Sequence, residues 1–87
     1  MRFTVYILRS DVCNKFYTGQ TIDLTNRLLK HNSGQTKSIR RCIPWVVAWQ
    51  KEVIDRSEAM KLEIKIKKRG AERFLIDLGA GPVTRGA

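Results

Sequence analysis

The first strand-like pattern in the chain is a nearly unbroken apolar run over residues 3–9. Such a run, with little alternation, is typical of a strand that is buried on both faces at the centre of a sheet. A turn-rich segment follows, and residues 15–20 predict a second strand, so we expect an antiparallel hairpin. Because successive side chains of a strand point to opposite faces, Tyr6 shares a face with Thr4 and Leu8.

The next segment has the periodicity of a helix. Thr21 or Asp23 can cap a helix that runs to about Asn32, where a serine and a glycine follow. At a rotation of about 100° per residue, one arc of this helix carries Leu24, Arg27, Leu28 and His31. Arg27 and His31 are therefore predicted to lie beside the apolar stripe, near the core rather than out in solvent.

The middle of the chain changes from polar to apolar at Pro44. Residues 35–42 are polar and basic, and they predict a loop or a short helical turn. Pro44 is expected to open a third strand over residues 45–54, because proline is tolerated where a strand begins. Alternation places three large residues on one face of that strand: Trp45, Val47 and Trp49.

The last third of the chain predicts two helices. Asp55 followed by Glu58 resembles a capping box, so a long helix is expected to begin there and to run through Arg69. Gly70 interrupts the helical pattern, and residues 71–78 predict a short final helix.

The predicted elements follow one another in the order β-β-α-β-α-α. This order predicts an α+β fold in which a three-stranded antiparallel sheet is flanked by helices. Residues 1–78 are expected to form one domain. Residues 79–87, which contain a proline and three glycines, are expected to be a flexible tail.

The charge of the chain narrows the choice of partner. Lys and Arg number 17 against 8 acidic residues, a net charge of +9, which favours nucleic acid over the alternative of an acidic membrane surface. The chain has neither an apolar run that spans a bilayer nor a signal-peptide layout, so a cytoplasmic protein with no membrane partner is expected. Cys13 and Cys42 are far apart in sequence and are expected to be reduced thiols, and no zinc site is predicted.

Glu63 falls inside an apolar arc of the long helix. That arc is formed by Ala59, Met60, Leu62, Ile64 and Ile66. A carboxylate that faces a core is costly unless it is paired or bound to metal. One interpretation is an ion pair with Lys67, one helical turn away. The other is ligation of a single Mg²⁺ or Mn²⁺ ion, which keeps most of its waters and shares phosphate oxygens.

Four further side chains and one glycine predict chemistry on a phosphodiester. Arg27 carries a planar, permanently charged fork that matches a phosphate, and His31 can bond a phosphate or a phenol. Tyr6 and Tyr17 are phenols whose ionised form a nearby cation would stabilise. Gly19 would allow backbone or substrate to approach closely. Each residue alone is also compatible with ordinary packing or a solvated surface, and only their combination indicates a site.

The basic residues fall into two groups. A loop group consists of Lys37, Arg40 and Arg41, and it is the better candidate for contacts with a nucleic-acid backbone because it follows Arg27 and His31 closely. A helix group consists of Lys61, Lys65, Lys68, Arg69 and Arg73. This second group mostly faces away from the apolar arc and equally suits a solvated helix face.

The order and spacing of these residues resemble the GIY-YIG nuclease superfamily, and in particular its small stand-alone members, over roughly residues 2–78. The motif positions are Tyr6, the run Tyr17-Thr18-Gly19, Arg27, His31, and the pattern of Ala59, Glu63, Ile66 and Lys67. The first motif reads Thr4-Val5-Tyr6 where the family has Gly-Ile-Tyr, and Thr18 replaces an isoleucine. We expect no equivalent of the additional asparagine or of the separate DNA-binding domain of larger members.

The resemblance implies a metal-dependent endonuclease that hydrolyses DNA, with DNA more expected than RNA, on structured or damaged substrates. It implies that Tyr6 activates water, that Tyr17 orients water or phosphate, that Glu63 holds the metal, and that Arg27 stabilises charge on the phosphate. The alternative is a nucleic-acid-binding module of the same fold that does not cleave. A third hypothesis is an adaptor whose aromatic strand, with Trp45 and Trp49, docks onto a protein partner that supplies specificity.

Overall fold

A computed structural model describes residues 2–79 of the chain. Its elements are β1 (Phe3–Ser10), β2 (Lys15–Thr21), α1 (Leu24–Asn32), a 3-10 helix (Lys37–Cys42), β3 (Trp45–Val53), α2 (Arg56–Arg69) and α3 (Ala71–Asp77). This order confirms the predicted α+β fold. The predicted tail lies, from residue 80 onward, outside the described residues.

The sheet is antiparallel and has the strand order β2-β1-β3, so β1 is its central strand. In the hairpin, Tyr6 lies opposite Gly19 and Leu8 lies opposite Tyr17. Helices cover both faces of the sheet. This arrangement explains why β1 is apolar almost throughout, because neither face of a central strand meets solvent.

Two hydrophobic cores lie on the two faces of the sheet. The α2-side core contains Val5, Ile7, Ala59, Ile66, Phe74 and Leu75. The tyrosine-side core contains Tyr6, Leu8, Ile39, Cys42 and Trp45, with Tyr17, Leu24, Leu28 and Val47 packed against it. The predicted alternation along β1 is therefore confirmed: Tyr6 and Leu8 face one core, and the residues between them face the other.

A β-bulge in β3 changes which face its side chains occupy. Ile7 pairs with Trp49, but the next residue, Leu8, pairs with Val47, so Ala48 is an extra residue without a partner on β1. The extra residue reverses the alternation. A prediction that continues alternation through this point assigns every later side chain to the wrong face.

The prediction that Trp45, Val47 and Trp49 share a face is wrong for this reason. Trp45 and Val47 belong to the tyrosine-side core, whereas Trp49 packs against the α2-side core. The Trp49 ring meets Phe74 edge-on, with ring centroids 5.1 Å apart. Trp45 is buried and donates from its indole nitrogen to the Ile39 carbonyl (2.9 Å), so the two tryptophans do not form a docking strand.

Both long helices begin at an aspartate cap. The Asp23 carboxylate accepts a hydrogen bond from the Asn26 backbone N–H (3.0 Å), and Asp55 accepts one from the Glu58 N–H (2.9 Å). The chain leaves α2 at Gly70, whose φ of 91° is readily adopted only by glycine. The predicted helix starts and the break between α2 and α3 are confirmed.

The buried stripes of α1 and α2 are narrower than predicted. His31 is buried but Arg27 is exposed, because its long stem carries the guanidinium out past the apolar stripe. On α2, Met60 and Ile64 are about half exposed, at 53% and 51%, although they were predicted to line the core. The helix packs on the sheet with one side only, so residues at the margins of its apolar arc remain in solvent.

Cys13 and Cys42 form a disulfide, with their Cα atoms 5.2 Å apart, so the prediction of reduced thiols is wrong. The cysteines lie 29 positions apart in sequence, but the β1–β2 turn and the 3-10 helix are neighbours in the fold. Ser10 joins the same two segments: its hydroxyl donates to the Cys42 carbonyl (2.5 Å) and accepts from the Cys13 N–H (3.1 Å).

None of the helices within residues 2–79 has the length and apolar character needed to cross a membrane.

Candidate active site

A buried hydrogen-bonded chain connects Tyr6, His31 and Thr36. The Tyr6 hydroxyl lies 3.2 Å from His31 Nε2, and His31 Nδ1 lies 3.1 Å from the Thr36 hydroxyl. Tyr6 comes from the central strand, and His31 from the last turn of α1. Tyr6 and His31 are only 2% exposed, so the contact between them is shielded from bulk water, whereas Thr36 is partly exposed.

The Tyr6 phenol keeps its proton at neutral pH. Burial raises the pKa of Tyr6 to about 12, and the neighbouring Tyr17 phenol adds to the rise. The Arg27 guanidinium lowers this pKa and the Glu63 carboxylate raises it, and both effects are smaller than the effect of burial. In the protein alone, the Arg27 charge, which the sequence suggested would favour phenolate, therefore does not outweigh the effect of burial on the pKa of Tyr6.

His31 is a neutral imidazole at neutral pH. Burial lowers its pKa, and the positive charge of Arg27 lowers it further. In the tautomer that carries its proton on Nδ1, the Tyr6 hydroxyl donates to Nε2 and Nδ1–H donates to the Thr36 hydroxyl. In this tautomer the Tyr6 hydroxyl faces the lone pair of the unprotonated His31 Nε2.

Tyr17 completes an aromatic cluster around the imidazole. Its ring meets His31 edge-on at a centroid distance of 5.1 Å and lies 6.4 Å from the Tyr6 ring and 6.2 Å from Trp45. Tyr17 is half-buried, whereas Tyr6 is buried. Of the two phenols, Tyr17 is thus the more accessible to a substrate.

Gly19 makes room for the Tyr6 ring. A Cβ at this position would lie 2.6 Å from the Tyr6 hydroxyl oxygen and 2.8 Å from Cζ, closer than side chains approach. The sequence predicted a close approach at Gly19, and the structure identifies the group that approaches. The phenol crosses its paired residue on the edge strand β2, at the place where a side chain would otherwise project.

Arg27 lies at the rim of the cluster. It lines a polar cleft of about 320 Å³ at the start of α1, together with Asn26 and Lys30. Its guanidinium is exposed, yet its charge is close enough to alter the pKa of both Tyr6 and His31. Arg27 and Lys30 are the two cations of this cleft, and the Asp23 carboxylate also lines it.

Glu63 approaches from the other face of the sheet. Its side chain is 18% exposed, and each carboxylate oxygen has one partner. Oε1 accepts a hydrogen bond from the Gln20 amide (3.0 Å), and Oε2 forms an ion pair with Lys67 Nζ (2.7 Å). The ion pair that the sequence offered as one interpretation is therefore present in the structure.

Glu63 is a carboxylate donor of the kind that a divalent cation uses. Its Oε2 is paired with the Lys67 ammonium, so a cation at that oxygen would have to compete with Lys67. Among residues 2–79 no three His, Cys, Asp or Glu side chains gather into a ligand set. A single carboxylate suits Mg²⁺ or Mn²⁺, which retain water ligands and share the oxygens of a phosphate.

The predicted loop group lies on the 3-10 helix. Lys37, Arg40 and Arg41 are exposed, while Ile39 and Cys42 of the same helix are buried in the tyrosine-side core. The helix is thus fixed on the face of the sheet that carries Tyr6. Its cations face solvent beside the cluster.

Two polar residues of the site were missed by the sequence analysis, Gln20 and Thr36. Gln20 directly follows Gly19, and alternation along β2 turns it toward Glu63 on α2. Thr36 caps no helix with its side chain and instead bonds His31. The position of Gln20 next to Gly19 was a usable signal, because it predicts the opposite face. Thr36 gave no such signal.

Comparison with known proteins identifies the family of the chain. A family model described as the GIY-YIG catalytic domain matches residues 2–74. A UPF0213 protein of Yersinia pestis strain Pestoides F is 35% identical over 77 residues, which cover 84% of this chain and 80% of the relative. A UPF0213 protein of Yersinia pseudotuberculosis serotype O:3 strain YPIII gives the same values.

A solved structure shares the fold. The solution NMR structure of a UPF0213 protein from Bacillus halodurans superimposes with a TM-score of 0.58 and 32% sequence identity, covering 95% of this chain and 90% of that one. The chain therefore belongs to the GIY-YIG nuclease family and is similar to the UPF0213 proteins within it.

Proposed function

We propose that the protein is an endonuclease that hydrolyses phosphodiester bonds of DNA with the aid of one divalent metal ion. The observation that carries the proposal is the buried contact between the Tyr6 hydroxyl and His31 Nε2, at 3.2 Å, under the influence of the Arg27 charge. A phenol with a raised pKa is a weak base by itself. A neutral imidazole behind it removes that weakness, because it can take the phenolic proton as the phenol takes another.

The proposed reaction begins with attack of a water oxygen on phosphorus. The water proton passes to the Tyr6 oxygen while the Tyr6 proton passes to His31 Nε2, and the bond between phosphorus and the leaving oxygen breaks. The leaving oxygen takes a proton from solvent. Thr36 accepts from the other nitrogen of the imidazolium, and Arg27 offsets the negative charge that develops on the phosphate. Tyr17, the more exposed phenol, orients the water or the phosphate.

Glu63 is proposed to hold the metal, with Gln20 fixing the carboxylate. A bound Mg²⁺ or Mn²⁺ would polarise the phosphate and stabilise the leaving oxygen. Lys37, Arg40 and Arg41 are proposed to contact the nucleic-acid backbone, and Gly19 allows the Tyr6 ring to lie where it does. We further propose that the enzyme acts in the cytoplasm on structured or damaged DNA, where a protein partner supplies specificity.

The proposal is tested by cleavage of single-stranded, duplex and branched DNA with Mg²⁺ or Mn²⁺. Wild type should cut at least one substrate, and Glu63→Gln should cut none while melting at a similar temperature. Tyr6→Phe should lose about 100-fold or more in rate, the usual scale for removing a proton-transfer group. Cleavage by Glu63→Gln at the wild-type rate would contradict the assignment.

The alternative function is a nucleic-acid-binding module that does not cleave. One observation favours it: both oxygens of Glu63 already have partners, Gln20 and Lys67, as in a purely structural ion pair. The same DNA panel separates the two functions. Binding without cleavage by wild type, with equal binding by Glu63→Gln, would support the module.

A further inference from the structure

The ion pair between Glu63 and Lys67 is asymmetric in exposure. The Glu63 side chain is 18% exposed, whereas that of Lys67 is 58% exposed, and the two are one helical turn apart on α2. The carboxylate is held in place on its other oxygen by Gln20. The ammonium is tied by this one contact and has a long flexible stem. The carboxylate is therefore held by two contacts in a shielded position, and the ammonium by one contact on an exposed side chain.

The fixed partner is the group proposed to hold the metal. Lys67 Nζ lies 2.7 Å from Oε2, so the ammonium occupies the space beside the oxygen that a bound metal ion would need. An ammonium and a divalent ion at the same carboxylate oxygen repel each other, so they exclude one another. We propose that Lys67 and the divalent metal are alternative partners of Glu63, and that Lys67 is a positioning residue that keeps the carboxylate paired until a metal displaces it.

This inference rests on the proposed metal site at Glu63 and extends it. It explains how Glu63 and Lys67 serve both the metal-free and the metal-bound protein. Without metal, Lys67 neutralises a largely buried carboxylate, which would otherwise be costly in that surrounding. With metal, the released ammonium is free to move to a phosphate oxygen, since its exposed stem allows it to swing away from the helix.

The test measures Mn²⁺ binding to the whole protein by isothermal titration, without nucleic acid. Lys67→Met should bind Mn²⁺ about three-fold more tightly than Lys68→Met, the range expected from the loss of one partly exposed ion pair. Lys68 is the matched control: it is the adjacent exposed lysine of α2, and it pairs with no carboxylate among the described residues. The comparison removes the general effect of one lost positive charge.

A second measurement follows the ammonium directly. In an NMR titration with Mg²⁺, the Nζ resonance of Lys67 should shift as the metal binds, while that of Lys68 should not. Equal Mn²⁺ affinity of the Lys67→Met and Lys68→Met variants, with no shift of Lys67, would overturn the inference.

A third variant distinguishes failure of the inference from failure of the proposed function. Glu63→Gln should abolish Mn²⁺ binding. If it does, and Lys67→Met behaves as Lys68→Met does, the metal site stands and the competition is refuted. If Glu63→Gln binds as wild type does, or if neither wild type nor Lys67→Met binds Mn²⁺, the metal site itself is refuted and the inference with it.

Discussion

At the scale of single residues, the site depends on a glycine and a tyrosine that share one space. The Tyr6 hydroxyl reaches its position over the edge strand because Gly19 has no side chain there. The polar partners of that hydroxyl are His31 and, through it, Thr36. A change at Gly19 therefore also displaces the Tyr6 phenol, the group proposed to take the water proton.

Gly19→Ala should destabilise the fold by about 1–3 kcal/mol, the usual cost of an extra methyl group in a packed core. The added Cβ would lie 2.6 Å from the Tyr6 oxygen, so the ring must shift. Urea unfolding measures the loss. In a Tyr6→Ala background the same substitution should cost much less, because the obstructing ring is absent. An equal cost in both backgrounds would contradict this explanation.

His31 gives the fold a predictable response to pH. Its pKa is lowered in the folded protein, so the unfolded chain binds a proton more readily, and stability rises with pH across this titration. The free energy of unfolding should therefore fall as the pH is lowered from above 6.5, and level off once the folded protein is also protonated.

Urea titrations between pH 5.5 and pH 7.5 test the response to pH. The chain contains one histidine, so His31→Asn should flatten this part of the profile. A wild-type profile that rises on acidification would show that the imidazole is not held neutral.

The main residues of the site could be predicted from the sequence, but the polar residues that bond to them could not. Strand alternation predicted the face that Tyr6 shares with Leu8, and helix periodicity predicted that His31 lies beside the apolar stripe of α1. That the two belong to one site was implied by the family resemblance. The partners Gln20 and Thr36 depend on how separate elements dock, which local patterns do not encode. The protonation of Tyr6 was also beyond the sequence, because it is set by burial.

At the scale of elements, the sequence predicted every helix and strand, and the errors arose where elements meet. The bulge at Ala48 inserts one residue into β3 without any local signal such as glycine, and it moves Trp49 to the other core. The disulfide joins a turn and a 3-10 helix that are neighbours only in space. The first error came from continuing strand alternation through the bulge, and the second from judging the distance between the cysteines by their separation in sequence.

Loss of the disulfide should be a large effect for a chain of this size. The bond closes a loop over a separation of 29 residues, for which the chain-entropy model gives about 3–4 kcal/mol. Reduction should therefore lower the melting temperature by roughly 15 °C or more. The variant with Cys13→Ser and Cys42→Ser should melt low and be insensitive to reductant. Equal melting temperatures for oxidised and reduced wild type would contradict the prediction.

At the scale of the whole molecule, charge is distributed over two surfaces. The 3-10 helix presents Lys37, Arg40 and Arg41 beside the tyrosine cluster, and the outer face of α2 presents Lys65 and Lys68 away from it. The net charge of +9 does not distinguish these surfaces. They differ in the element that carries them, because the 3-10 helix packs on the face of the sheet that carries Tyr6 and α2 packs on the other face.

The salt dependence of nucleic-acid binding should locate the contact surface. Lys37→Ala combined with Arg41→Ala should reduce the slope of log affinity against log salt by about two, one unit for each lost phosphate contact. Lys65→Ala combined with Lys68→Ala removes the same charge and should leave the slope nearly unchanged. The opposite ranking would place the nucleic acid on the outer face of α2. Fluorescence anisotropy over a range of salt concentrations measures both.

The disulfide also divides the site into two parts with different attachments. Residues 13–42 form a covalent ring that includes Tyr17, Arg27, His31 and the basic 3-10 helix, while Tyr6 and Glu63 lie outside it. A protease cut after an arginine or lysine of the 3-10 helix would open the ring without separating the fragments, which would part only under reducing conditions. In the unfolded chain, the disulfide limits how far the site residues inside the ring can separate from one another. Tyr6 and Glu63, which lie outside the ring, take their places beside them only when the sheet and α2 assemble.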